Sequence, residues 1–402
     1  MADLAKKQNR RVLTFVVRCF VLVIAATLAL QILPWKHLAV ILPSISPFVA
    51  VCSALAVRTL SVITLLALPL LIMALWRGRW FCRNLCPVGF LSENIRRFHR
   101  PAGPNFTKLP LISQWVVLLT LGGAILGYPL FLLLDPLGIF NGFFQALRGP
   151  FRVSSMIYCL PLLIVLTINF VWAGLWCSRL CPLGAIQVML VRLWGLFRHN
   201  ILYRQGSPDN NKVLTARRDI LALGMGALTA VTTRKLFRGR ALKPIRPPGA
   251  IDESNFTAVC IRCGNCTRAC PAGIIEPYPG RNGVSSFMTP TLRFENNYCQ
   301  EDCNSCNEVC PSGAIAGLSL AEKRKTTIGL AKVDMSLCLL SEERECTVCV
   351  RICPYDAVKL VFLEEDYISI PVIDPDKCTG CGACEWACPV SPTKAIIVEP
   401  FG

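Results

Sequence analysis

The chain has 402 residues, 53% of them hydrophobic, and a mean hydropathy of +0.50, too apolar for an ordinary soluble protein and suggestive of membrane spans. Its 23 cysteines stand in tight repeated clusters, which favours metal binding over the disulfide framework of a short secreted domain. The net charge of +17 is split, with 29 Lys and Arg against 5 Asp and Glu in residues 1–246 and 13 against 20 in residues 247–402; basic loops beside apolar spans read as cytoplasmic, and no aromatic–basic interleaving marks a nucleic-acid surface.

Four apolar stretches come first, at about Val12–Leu33, Thr59–Leu75, Leu109–Leu134 and Met156–Leu175. A span needs about 20 apolar residues, and the second stretch is short. Leu38–Val57 is also apolar, but Pro43 and Pro47 break it and Arg58 closes it, so a re-entrant or interfacial segment is expected. Lys and Arg crowd the N-terminus and the loops after the second and fourth spans. These parts are therefore expected on the cytoplasmic side.

"WRGRWFCRNLCPVG" (76–89) and "WAGLWCSRLCPLG" (172–184) align once Phe81 is skipped. Each follows an outward-to-inward span and ends C-x3-C-P-x-G, so the span pairs read as a duplication with parallel topology. Cys82, Cys86, Cys177 and Cys181 together supply four thiolates, enough for one shared iron–sulfur cluster. Two redox disulfide pairs and partner-docking thiols are the alternatives; a reducing cytoplasm argues against stable disulfides. Cys19, Cys52 and Cys159 lie in or near spans and read as packing.

A fifth stretch, "TARRDILALGMGALTAVTTRK", places Arg217-Arg218 before 14 uncharged residues, Ile220–Thr233. That length suits a signal-type apolar core and resembles a twin-arginine export signal. An ordinary membrane-surface helix is the competing reading, and six basic residues from Arg234 to Arg246 weaken any charge argument for export.

Four cysteine motifs follow the linker "KPIRPPGAIDE". They hold Cys260, Cys263, Cys266 and Cys270; Cys299, Cys303, Cys306 and Cys310; Cys338, Cys346, Cys349 and Cys353; and Cys378, Cys381, Cys384 and Cys388. Each ends C-x2-C-x3-C-P, and the first and fourth match the bacterial ferredoxin run. Three thiolates from one tight loop wrap three irons of a cube, and the fourth, expected at a helix start, turns to a neighbouring cluster. Strand signals precede three motifs ("LRF", "AKV", "PVI") and follow all four, which makes a four-fold half-unit repeat. Four [4Fe–4S] clusters are expected. Because the regular motifs are first and last, a nested exchange is expected. Cys270 would serve Cys378, Cys381 and Cys384; Cys388 would serve Cys260, Cys263 and Cys266; Cys310 and Cys353 would exchange likewise.

The four-motif half resembles the periplasmic ferredoxin-type family of NapG and MauM. The shared features are the twin-arginine segment, "RPPGA", "CIRCGNCTRACP", the wide C-x7-C-x2-C-x3-C-P of the third motif and "CTGCGACEWACP". The second motif departs, with its first cysteines spaced three and then two apart. Residues 1–205 resemble the membrane family of NapH and MauN, which carries two C-x3-C-P motifs at its cytoplasmic face. The resemblance implies a fusion: a quinol-oxidising module that sends electrons to a periplasmic reductase.

No C-x-x-C-H, intramembrane histidine pair or dinucleotide-binding glycine run is present, which argues against haem and NADH. His37, Arg58 and Asp135 lie at expected outer span ends and are the candidate quinol-site residues, each with an interfacial anchor as its competing reading. "LDPLGIF" (134–140) resembles a loop of the NapH-like family.

The expected fold is an α-helical membrane domain of four spans plus a fifth signal-like helix, then an α+β ferredoxin-like domain of four half-repeats. The expected boundaries are 1–205, 206–246 as helix and linker, and 247–402. The expected function is a quinol dehydrogenase-type electron-transfer subunit in the bacterial inner membrane. Its ferredoxin half would be periplasmic, and a reductase or cytochrome would be its partner. Two alternatives stand beside it: a cytoplasm-facing conduit between the quinone pool and a soluble partner, and a metalloenzyme maturation factor. One tension is internal. The C-x3-C-P motifs and the ferredoxin half are expected on opposite faces of a hydrocarbon core about 30 Å thick.

Overall fold

The computed structural model describes residues 2–30, 38–59, 62–98, 111–148, 156–202, 210–237, 244–280, 284–342, 344–364 and 368–401. The chain forms two compact units. The first comprises Met1–Gly239, Ser254–Gly264 and Pro311–Ala314; the second comprises Arg240–Glu253, Asn265–Cys310 and Ile315–Gly402. Residues 254–264 and 311–314, which the expected boundary at 246 assigns to the ferredoxin half, therefore group with the helices.

The first unit is helical. Its helices are α1 (Ala2–Leu30), α2 (Leu38–Ser44), α3 (Pro47–Val57), α4 (Val62–Leu65), α5 (Leu68–Arg77), α6 (Trp80–Asn84), α7 (Pro87–Phe98), α8 (Ile112–Ile125), α9 (Pro136–Arg148), α10 (Leu160–Val171), α11 (Pro182–Leu202) and α12 (Asn210–Phe237). Phe48, Leu132, Leu137, Phe140, Leu162 and Leu183 are fully buried at its centre.

Four unbroken spans do not form. Among the described residues, one helix segment, Val12–Leu30, is long and apolar enough to cross a bilayer. The second expected span breaks between α4 and α5. Pro69 has no N–H to donate to Leu65, and its ring crowds that carbonyl. The third ends at Ile125, where Gly127 takes a left-handed φ of 82°. Its 14 residues span about 21 Å, short of the ~30 Å hydrocarbon core. The fourth runs only over Ile157–Val171 before the chain turns at Gly174. Leu38–Ser44 and Pro47–Val57 form one apolar pair bent by 89°, the geometry of a broken span or a re-entrant loop.

The twin-arginine stretch lies on α12, which packs along α8. A Cβ on Gly226 would stand 2.7 Å from Leu119 Cα, and one on Gly122 would run into the Leu223 carbonyl. Small residues let these two backbones touch, as in close helix pairs in membranes.

The second unit is built from three antiparallel strand pairs and one bridge. β1 (Ile275–Pro277) pairs with β2 (Pro290–Leu292), aligning Ile275 with Leu292. β3 (Gly329–Val333) pairs with β6 (Ile396–Pro400), and β4 (Val358–Leu363) with β5 (Ile368–Ile373). Ala250 bridges Ile315. In chain order, the first and second motifs lie inside one closed set, Ala250 to Ile315 with β1–β2 as the inner hairpin. The third and fourth lie inside another, β3 to β6 with β4–β5 as the inner hairpin. Two modules thus stand in sequence. They share a core that includes Ile275, Leu292, Phe294, Ala331, Ala357, Ile396 and Val398.

The linker is tied down by charge. Arg246 Nε and Nη2 donate to Glu253 Oε2 and Oε1 at 2.7 and 2.5 Å, while Nη1 donates to Thr289 Oγ1 and the Pro290 carbonyl at 2.9 and 2.6 Å.

Candidate functional site

Three cavities in the second unit are each lined by four cysteines. One has Cys299, Cys303 and Cys306 with Cys270. Another has Cys378, Cys381 and Cys384 with Cys353. The third has Cys338, Cys346 and Cys349 with Cys388. Three thiols come from one motif and the fourth is the last cysteine of its sequence neighbour. The nested exchange is therefore corrected: Cys270 joins the second motif, Cys353 the fourth and Cys388 the third. Spacing regularity had suggested nesting, but strand pairing decides the matter. Each closed strand set brings two consecutive motifs face to face.

A short helix carries the exchanged thiol across. Asn265–Ala269 precedes Cys270, Val348–Ile352 precedes Cys353 and Ala383–Ala387 precedes Cys388. The fourth cysteine so lies past a helix end, not at a helix start as its trailing proline suggested. Backbone N–H groups point at two of these thiols: Ile315 N–H at Cys310 Sγ, 3.4 Å, and Ala357 N–H at Cys353 Sγ, 3.3 Å.

The donor sets suit an iron–sulfur cluster. Among the described residues, no three His, Cys, Asp or Glu side chains converge on a single-ion position, although four thiols surround each cavity. Burial pushes the Cys349 and Cys381 thiols up to about 11, with the neighbouring thiols of the same cavity adding to the rise. Burial drives Cys299, Cys306 and Cys384 upward in the same way. Such thiols ionise readily only against a cationic occupant. The tight loops need left-handed backbone. Gly380 supplies it at φ 72°, and Arg262 holds the equivalent position of the first motif at φ 56°.

In the first unit, the segment bearing Cys260 and Cys263 is part of the helical core. Ile261 and Cys263 are buried with Leu137, Ile139 and Phe140 of α9. Asn141 Nδ2 donates to the Cys263 carbonyl at 2.9 Å. A Cβ on Gly138 would meet Ile261 Cδ1 at 3.5 Å and Asp135 Oδ2 at 3.7 Å. Asp135 is fully buried. Ser46 Oγ donates to its Oδ1 at 2.5 Å, and Gly138 N–H donates to its Oδ2 at 2.9 Å. Arg58 is exposed at the far end of α3, which Ser46 caps, so the structure does not bring it to Asp135. His37 lies outside the described residues. Ser46 and Asn141 had no motif to reveal them; a polar residue inside the apolar run "GIFNGFF" was the only sequence trace of the second.

The four membrane-half thiols come together. Cys86 and Cys181 are buried in the core, and Cys82 and Cys177 pack against it. Cys82 interacts electrostatically with Cys177 and Cys181, Cys86 with Cys82 and Cys177, and Cys181 with Cys177 and Cys86. The duplication repeats in hydrogen bonding. Cys86 N–H donates to Phe81 O and Cys181 N–H to Trp176 O, at 3.0 and 2.8 Å, both closing an i→i−5 turn. Gly89 N–H points at Cys86 Sγ at 3.4 Å, and Gly184 N–H reaches Cys181. Gln187 Nε2 lies 3.4 Å from Cys82 Sγ, Ser92 hydrogen-bonds Cys177, and the Arg79 guanidinium acts on Cys82 and Cys177. Asp135 also acts on Cys86 and Cys181.

Comparison with known proteins agrees with both cysteine systems. Residues 259–314 and 344–391 each match the 4Fe-4S dicluster domain, one match per strand-closed module. Residues 59–103 and 155–202 each match a 4Fe-4S binding domain, one per C-x3-C-P motif. The methylamine utilization ferredoxin-type protein MauM of Methylophilus methylotrophus is 36% identical over 166 residues, 38% of this chain and 69% of that protein. MauM of Paracoccus denitrificans is 34% identical over 188 residues, 43% of this chain and 82% of that protein. The ferredoxin-type protein NapG of Escherichia coli is 36% identical over 167 residues, 39% of this chain and 71% of that protein. No solved structure matches.

Proposed function

The chain belongs to the family of ferredoxin-type iron–sulfur electron-transfer proteins that includes MauM and NapG, and from that premise we propose that it is a membrane-bound subunit that oxidises quinol and delivers the electrons to a periplasmic redox partner. In this reading, residues 1–205 are a NapH/MauN-like membrane module fused to the ferredoxin half. Bound [4Fe–4S] clusters would supply one-electron carriers at the cysteine sets. Three sets are those lining the cavities. Cys82, Cys86, Cys177 and Cys181 would hold a further cluster.

One observation carries the proposal: Cys263 is built into the helical core against α9, through the Nδ2 bond to its carbonyl from Asn141, six residues along the chain from Asp135. A quinol releases two protons with its two electrons. Asp135, held by Ser46 and the Gly138 N–H, is the carboxylate available to take a proton beside the first cysteine set. Membrane association is supported by the apolar residues the unit leaves exposed: Leu13, Phe20 and Val23 on α1, and Leu163, Ile164 and Phe170 on α10.

The test uses the whole purified chain in nanodiscs, under anaerobic conditions, with a short-chain quinol. Visible bleaching should show reduction, and Asp135→Asn should slow it about a hundredfold or more, the range for losing a positioned acid–base group, while dithionite still reduces the variant fully. No reduction by any quinol overturns the proposal.

A second reading has its own support. The four thiols and Cys263 share one core, which favours a single membrane face and hence a cytoplasm-facing conduit to a soluble partner. A compartment-specific reporter fused after Gly402 separates the two sides.

A further inference from the structure

The two modules of the second unit meet at one built junction. Cys299 N–H donates to the Cys381 carbonyl at 2.9 Å. Cys299 belongs to the second cysteine set and Cys381 to the fourth. Two further contacts cross the junction. Phe294, 2% exposed, lies where a Cβ on Gly382 would have to go. Tyr298 and Trp386 pack as a tilted pair with ring centroids 5.5 Å apart.

Exposure points the same way. Cys378, Cys381 and Cys384 of the fourth motif are all buried. The turns Met335–Leu337 and Leu339–Glu342 and the helix Val348–Ile352, which carry the third motif, bury no residue. Leu337, beside Cys338, is 39% exposed.

We propose that the cysteine sets of the second unit are strung in the spatial order second, fourth, third, not in sequence order. Cys299–Cys381 is the junction between modules, and the set of Cys338, Cys346, Cys349 and Cys388 is the terminal, solvent-facing one. The order follows from one contact and one reciprocal exchange: Cys299 touches the fourth set, and Cys353 and Cys388 tie the fourth and third together. It rests on the reading of these cysteines as cluster ligands and is independent of quinol chemistry. In the terminal position, the third set is where a soluble redox partner approaches.

Magnetic coupling between reduced clusters tests the order without any turnover. The full chain is reduced by dithionite and examined by low-temperature electron paramagnetic resonance beside iron analysis. Cys346→Ala with Cys349→Ala should remove one cluster's iron and leave the coupling between the two modules intact. Gly382→Val, which wedges the junction against Phe294, should weaken that coupling with all iron retained. A soluble dysprosium chelate should broaden the signal lost in the Cys346/Cys349 variant more than any other. Loss of inter-module coupling in that variant, or unchanged coupling in Gly382→Val, overturns the order. Iron far below that of a four-cluster chain in the unaltered protein would instead refute cluster binding itself.

Discussion

Replacing Glu253 by Gln should loosen the second unit, and the structure sets the size of the effect. Arg246 keeps only 9% of its side chain exposed, while Glu253 keeps 27%. Breaking a buried ion pair from one side costs about 3–5 kcal/mol, because the surviving charge is left without its counter-charge. Partial solvent access to Glu253 screens some of that, and Gln can still accept one bond. Thr289 Oγ1 and the Pro290 carbonyl remain as acceptors for Nη1. We therefore expect a loss of about 2–3 kcal/mol. Borne wholly by the unfolding rate, this makes cluster bleaching in fixed urea roughly 30- to 150-fold faster. The assay follows the visible absorbance of anaerobic, iron-loaded full chain. Glu253→Met with Arg246→Met should recover much of the loss, since no lone charge stays buried. An effect of Glu253→Gln below about threefold, under 0.7 kcal/mol, would show that water already screens the pair and refute the reasoning.

Three more outcomes are expected. Gly226→Ala should lower the thermal midpoint through about 1–3 kcal/mol of overpacking against α8, while Gly224→Ala, with no atom within 4 Å of its Cβ, should raise it by up to about 1 kcal/mol of helix propensity; equal shifts would deny the α8–α12 contact. Cys86→Ser and Cys181→Ser should each abolish the same iron increment above that of the ferredoxin sets; additive half-losses would indicate two separate thiol pairs. Glu322 is held below its ordinary value of 4.5 by hydrogen bonds from the Ser319 backbone and hydroxyl. Its contribution is present above 4.5 and is lost as pH falls through the lowered folded value. Protection of the Leu320–Lys325 amides, measured against intrinsic exchange at each pH, should therefore fall below pH 4.5, and Glu322→Gln should flatten that dependence.

The strands were legible because "AKV", "PVI" and "KAIIV" alternate beside motifs whose spacing is nearly chemical in its specificity. The duplicated C-x3-C-P pair was legible for the same reason, and its shared i→i−5 closure confirms the equivalence in backbone terms. Pairing of the motifs was not legible. It depends on which strands meet, and spacing within a motif says nothing about that. Spans were overcounted because hydropathy does not register Pro69 or the φ of Gly127, which end helices inside apolar text. Asp135 was found as an ionisable group in apolar surroundings, but its company, Ser46 from 89 residues away and Ile261 from 126, is a tertiary fact.

The first unit's borrowing of Ser254–Gly264 and Pro311–Ala314 has a consequence for taking the protein apart. No single cut yields both halves intact. A fragment ending at 205 keeps Cys82, Cys86, Cys177 and Cys181 but forfeits Ile261 and Cys263, so Leu137 and Phe140 lose packing partners. A fragment starting at 247 carries two stretches that belong elsewhere and lacks Arg246. Synthesis meets the same constraint in time: the helical core stays open until residue 314 has left the ribosome. A cofactor held by Cys260 and Cys263, as proposed above, would therefore be a building material of the helical unit, and its insertion would belong to that unit's folding.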